Sequence, residues 1–168
     1  MVENGMRDID YLKEDYHNSR HWALNDRSEK IVEYFKKYAN PNDSILELGC
    51  SSGRNLIFLK KAGFNNLTGL EMFPVKERPE FKLIRGRWEE TELEKYDIIF
   101  SASFLQEFHE FPQELFNKTL QKCRKYFMIF GDYMKNHTHE GFKEVEKIPA
   151  QAPFSEPIII LKCQDKKQ

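Results

Sequence analysis

Two carboxylates and a short glycine loop have the spacing of a ligand site in this sequence. The stretch Ile45 to Asn55 reads ILELGCSSGRN, so Glu47 stands just before a loop in which Cys50, Ser51 and Ser52 separate Gly49 from Gly53. Glycine after a strand and at the start of a helix permits a tight turn and a close ligand approach to the backbone. The loop is GxxxG, with Ser51 where the middle glycine of the dinucleotide fingerprint GxGxxG would fall, which argues only weakly for a nicotinamide or flavin nucleotide. Glu47 argues against one more strongly, because a carboxylate there repels a pyrophosphate and attracts a cation. Glu71 lies 22 positions after Gly49. That is the spacing of the acidic residue that binds ribose hydroxyls in nucleoside pockets built on two consecutive strands. A nucleoside cofactor carrying an ammonium and a sulfonium, as S-adenosylmethionine does, suits both acids.

Such positions need elements to hold them. Ser28 to Tyr38 carries Ile31, Val32, Tyr34, Phe35 and Tyr38 at helical spacing, with Ser28 as its cap and Pro41 beyond its end. Ser44 to Gly49 reads as a buried strand, Arg54 to Ala62 as a helix closed by Gly63, and Asn66 to Glu71 as a second strand. The third strand, Phe81 to Gly86, is reached through only Met72 to Glu80. Pro74 and Pro79 leave no room there for more than a single helical turn. Tyr96 to Ser103 is a fourth strand, Gln113 to Cys123 a helix, and Lys125 to Asp132 a fifth strand; Gly141 to Lys147 and Pro157 to Cys163 are two more. Apolar strands alternating with helices predict a mostly parallel sheet with helices on its faces and the final pair as an antiparallel edge. Ligands of such sheets bind beyond the carboxyl ends of the strands. The positions there are Glu47 to Asn55, Glu71 to Met72, Gly86 to Glu89, Ser101 to His109 and Asp132 to Tyr133.

Composition narrows the function classes. At 168 residues with 40% hydrophobic and 32% charged side chains, the chain is neither disordered nor fibrous. A formal net charge of -1 supplies no global field for gathering phosphate backbone or anionic lipid, so neither a nucleic acid nor a membrane is expected as a partner. The start, MVENGMRDID, lacks the features of an export signal, and a cytoplasmic protein is expected. Cys50, Cys123 and Cys163 form no CxxC pair and read as reduced, packed thiols; His137 and His139 have no third ligand at a recognisable spacing, so no metal is expected. No repeat or linker divides the chain. A single domain over 1–168 follows, with 1–43 as an N-terminal helical segment and flap and 44–168 as the core.

The segments ELGCSSGRNL, LTGLE and YDIIFSASFLQEF resemble the core of class I S-adenosylmethionine-dependent methyltransferases, a similarity that runs roughly from Ser44 to Asp132. It implies an α/β Rossmann-like fold: a mostly parallel seven-stranded sheet, helices on both faces, and an antiparallel last strand. It also implies S-adenosyl-L-methionine as cofactor. On that pattern Glu47 lies near the methionine amino end, the backbone of Gly49, Cys50, Ser51 and Gly53 lines the cofactor, and Asn55 helps to hold its carboxylate. Glu71 would hold the ribose, Met72 would lie against adenine, and Ser101 would face the sulfonium. Arg87 and Trp88 fall where the family usually places an acidic residue against adenine. Trp22 and Arg27 precede the core where relatives close a flap. Phe104 to His109 would border the acceptor pocket, with Glu107 and His109 as the nearest general bases for an acceptor that carries a proton. SASF, Ser101 to Phe104, is not the Asn/Asp-Pro-Pro-aromatic signature of enzymes that methylate nucleic-acid amino groups, and a small-molecule acceptor with an oxygen or nitrogen nucleophile is expected. The alternatives are a protein or RNA methyltransferase, favoured by any basic groove through Lys76, Arg85 and Arg87, and a cofactor-binding module without catalysis.

Overall fold

The structure, a computed structural model, describes residues 25–108, 112–131, 138–139, 141–150, 153–154 and 156–164. The elements are α1 (Asn25–Tyr38), β1 (Ser44–Leu48), α2 (Arg54–Lys61), β2 (Asn66–Glu71), β3 (Lys82–Arg85) and β4 (Tyr96–Ala102). A short 3-10 turn (Leu105–Glu107) leads to α3 (Gln113–Leu120), β5 (Cys123–Phe130), β6 (Phe142–Ile148) and β7 (Ile158–Cys163). The strands form one seven-stranded sheet in the order β3-β2-β1-β4-β5-β7-β6. The first five are parallel, and β7 runs antiparallel to both β5 and β6. Strand order reverses between β1 and β4, so the carboxyl ends of these two strands flank the crevice where such sheets bind ligands.

The continuous apolar runs of β1, β4 and β5 are buried on both faces, and the alternation of side chains divides them between two cores. Ile45, Ile98, Phe100, Met128 and Phe130 pack under α1 and α2 through Ile31, Phe35, Leu56 and Leu59. Leu46, Leu48, Ile99, Phe127 and Ile129 face Phe116 and Leu120 of α3, together with Trp88. Phe35 meets Phe100 edge to face on the first side, as Phe116 meets Phe127 on the second, each pair 5.1 Å between ring centres. Glu47 shares the face of Ile45, which directs it towards α1 and α2.

Three elements have boundaries that differ from the periodicity by two residues or more. Helix α1 begins at Asn25, so Ser28 lies within it and does not cap it. Helix α3 ends at Leu120, not Cys123, because Cys123 pairs with Tyr96 and opens β5; its burial comes from the sheet. Accordingly β5 spans Cys123–Phe130, two residues earlier at each end than Lys125 to Asp132. Between β2 and β3 there is no helix, consistent with the single turn at most that the two prolines allow.

Burial pushes the Cys123 thiol up to about 12 and that of Cys50 well above its ordinary value, which keeps both as packed, protonated thiols. Among the described residues no group of side chains could hold a metal ion, and no helix is long and apolar enough to cross a membrane. Trp88 is 2% exposed, its indole N–H donates to Thr119 Oγ1 at 2.9 Å, and its ring meets Phe104 and Phe108 edge to face. Replacing Trp88 by Phe removes that bond and part of the ring, and urea denaturation should register a loss of ~1–3 kcal/mol.

Candidate active site

The loop after β1 is held by its own backbone and by one carboxylate. Gly49 and Gly53 adopt φ of +63° and +76°, and Ser51 between them adopts +50°. That left-handed conformation costs a non-glycine residue about 1–2 kcal/mol. A strong contact accompanies it: the Ser51 N–H donates to Glu71 Oε2 at 2.7 Å, while Glu71 Oε1 accepts from the Phe73 N–H at 3.0 Å. Glu71 thus ties the loop to the end of β2, and Cys50 N–H donates to the Leu70 carbonyl beside it at 3.0 Å. The glycines serve the turn as expected, but protein rings fill the space beside them. A Cβ on Gly49 would lie 2.2 Å from Phe104 Cδ2, and one on Gly53 would lie 2.1 Å from Phe81 Cζ.

Glu47 is 2% exposed, so it sits beneath the loop instead of at an open mouth. Its Oε1 accepts from Asn55 Nδ2 at 2.6 Å. Asn55 Oδ1 accepts from the Ser28 hydroxyl at 2.7 Å, and that hydroxyl accepts from Arg54 Nε at 3.0 Å. Glu47 Oε2 is buried with no hydrogen-bond partner among the described residues. Burial raises the Glu47 carboxyl to about 8, outweighing the lowering by the Asn55 bond and the Arg54 charge, while Glu71 nearby raises it further. Burial likewise lowers Arg54 from its ordinary value. A buried carboxylate oxygen with a free lone pair is costly unless a cation or donor meets it.

The structure gathers Glu47, Gly49, Cys50, Ser51, Gly53, Asn55 and Glu71 around this one loop. Met72 follows Glu71 half-buried, and Ser101, fully buried, pairs with Leu48 at the adjoining end of β4. Asn55 spans Ser28 and Glu47, which places its amide behind the acid. Trp88 belongs to the second core, and Arg87 is half-buried before it. Arg27, within α1, bonds Ser103 Oγ and lies 4.9 Å over the Phe154 ring, joining α1 to the end of β4. Glu107 is half-buried in the 3-10 turn. Trp22, His109, Asp132, Tyr133 and His137 lie outside the described residues. Sequence reasoning missed Ser28 and Arg54 as parts of the site. One signal was available: α2 opens with Arg54 and has no acid in its first turn, although a helix amino end disfavours a cation.

A family model described as a methyltransferase domain matches residues 17–145, most of the chain. The chain is a class I, S-adenosylmethionine-dependent methyltransferase. No curated protein matches it. Solved structures share the fold of this methyltransferase at low identity. Magnesium protoporphyrin IX methyltransferase from Synechocystis PCC 6803, with bound S-adenosylmethionine, is 13% identical with a TM-score of 0.63, over 96% of this chain and 100% of that one. The glycopeptide N-methyltransferase MtfA, complexed with S-adenosyl-L-homocysteine, is 13% identical over 82% and 89% of the two chains, with a TM-score of 0.60. A Haloferax volcanii putative methyltransferase in complex with the Trm112 activator is 12% identical over 89% and 92%, with a TM-score of 0.63. The residues of this methyltransferase fit the family's cofactor in charge: the open Glu47 oxygen calls for a cation. Both Glu71 oxygens keep a lone pair for a hydroxyl after accepting their backbone N–H groups.

Proposed function

We propose that this methyltransferase transfers the methyl group of S-adenosylmethionine to an oxygen or nitrogen of a small-molecule acceptor. The observation that carries the reading is the buried Oε2 of Glu47 beside the glycine loop, without a partner among the described residues and one strand from a second carboxylate. When bound, the cofactor supplies an electrophilic methyl on a sulfonium. The protein's part is to align and desolvate. In this reading Glu47 receives the amino group of the cofactor, Glu71 takes the ribose hydroxyls, and the backbone from Gly49 to Gly53 lines the cofactor. Met72 lies against adenine with Arg87 and Trp88 behind it. Ser101 faces the reacting end. Glu107 and His109 border the acceptor and take its proton where it has one.

Two observations support a small acceptor. Arg85, a candidate for a basic groove, donates to the Val75 carbonyl at 2.9 Å and lies 3.7 Å from Glu77, so its charge is partly answered within the chain. Structures sharing the fold include methyltransferases of a porphyrin and of a glycopeptide.

A thermal-shift series tests the reading, because a ligand selective for the native state raises the midpoint by mass action. S-Adenosylmethionine and S-adenosylhomocysteine should each raise it and NAD should not. Labelled methyl should then pass to an extract fraction of small molecules. A shift with NAD alone, or label only in protein or RNA, would overturn the respective half of the proposal.

A further inference from the structure

Ser28 sits three residues into α1, fully buried, with its hydroxyl between two side chains of α2. The direction of each hydrogen bond in this group follows from chemistry. A guanidinium N–H can only donate, so Ser28 Oγ accepts from Arg54 Nε. The hydroxyl has a single proton, and it goes to the other neighbour, Asn55 Oδ1 at 2.7 Å. With its oxygen so engaged, Asn55 turns Nδ2 towards Glu47 and donates to Oε1 at 2.6 Å. Every donor therefore points along the same line, from a buried cation to a buried acid, and bonds in such a line polarise one another. Without the Ser28 proton Asn55 Oδ1 loses its donor, and the amide is held only by its bond to Glu47 Oε1.

We infer that Ser28 is a positioning residue for the amino-acid end of the cofactor: through Asn55 it anchors Glu47 Oε1 and leaves Oε2 turned to the bound ammonium. The inference rests on the proposed role of Glu47. It gives α1 a part in cofactor recognition although Ser28 itself touches no cofactor in this reading. The purpose of a buried serine near the start of α1 is then the polar line to Glu47.

Two probes separate this role from a merely structural one. S-Adenosylhomocysteine carries the amino-acid end, and 5′-methylthioadenosine has the nucleoside thioether without it. In calorimetric titrations, Ser28→Ala should weaken S-adenosylhomocysteine roughly ten-fold while changing 5′-methylthioadenosine by less than about two-fold. Ser28→Cys, which keeps the volume and loses the strong donor, should behave the same way and serves if the alanine variant does not fold. In an Asn55→Ala background the Ser28 substitution should have no further effect on S-adenosylhomocysteine, since the path runs through Asn55. Equal losses for both probes, or a Ser28 effect undiminished without Asn55, would refute the positioning role and leave the cofactor reading standing. Wild-type protein that binds neither probe would refute both.

Discussion

Glu47→Gln should lower affinity for S-adenosylhomocysteine on the order of 100-fold, the usual scale for removing one partner of a desolvated charge pair, while making the protein more resistant to unfolding at alkaline pH. The two effects share one cause. Burial raises the Glu47 carboxyl from 4.5 to about 8, and the Asn55 bond and Arg54 charge only partly oppose it; Glu71 adds to the rise. Between those values the folded protein holds a proton that the unfolded chain has released. The native state binds more protons there, so the Glu47 contribution to stability falls as pH rises from about 4.5 to about 8 and is level above it. Glutamine does not titrate and keeps the shape, with its oxygen available to Asn55. The stability difference between variant and wild type should therefore be small at pH 5 and grow to a few kcal/mol in favour of the variant at pH 8.5. An ammonium beside Oε2 reverses the penalty by favouring the carboxylate, so ligand binding to the wild type should release a proton and tighten between about pH 6 and 8, against no such trend in the variant. Denaturation at the two pH values and titration calorimetry in buffers of different ionisation enthalpy measure this. A variant difference that does not change with pH would mean that Glu47 is already ionised in the unliganded protein.

The sequence exposed the fold where burial and period agreed. Asn66–Glu71 is the strand as read, with Leu67 and Leu70 inside its polar ends, and Pro74 and Pro79 correctly left no room for more than a helical turn before β3. It failed at Cys123, whose apolar side chain suits a helix stripe and a strand equally; only pairing with Tyr96 decides the matter. In the site, Glu47 and Glu71 were legible because a charged residue in or after an apolar strand requires a reason. Their burial was not legible, nor was the fact that Glu71 accepts two N–H groups of the chain itself, since these depend on how the loop folds back. Ser28 and Arg54 are 26 positions apart and meet only because α1 lies against α2. A hydroxyl near the start of a helix reads as a cap until the partner helix is in view.

Gly49→Ala should cost more than a methyl added at a glycine with open space beside it, because two separate penalties fall on it. The first is the backbone, at φ +63°, worth about 1–2 kcal/mol for a residue with a side chain. The second is the Phe104 ring, whose Cδ2 and Cγ, with the Cβ that carries them, would all come within 3 Å of the new carbon. That ring cannot slide away freely, because it meets Trp88 and Phe108 edge to face at 5.8 and 5.5 Å. Overpacking of this kind adds about 1–3 kcal/mol. Gly63 separates the two terms: it has φ +100° and no atom within 4 Å of the place a methyl would take, so Gly63→Ala carries the backbone term alone. Urea denaturation should find Gly49→Ala about 2 kcal/mol less stable than Gly63→Ala. Phe104→Ala made together with Gly49→Ala should cost less than the sum of the two single changes, the shortfall matching the steric term. Equal losses at Gly49 and Gly63, or strict additivity with Phe104, would show that the ring relaxes without cost. In that event the contact between the glycine loop and the segment after β4 does not fix the distance between the two halves of the site.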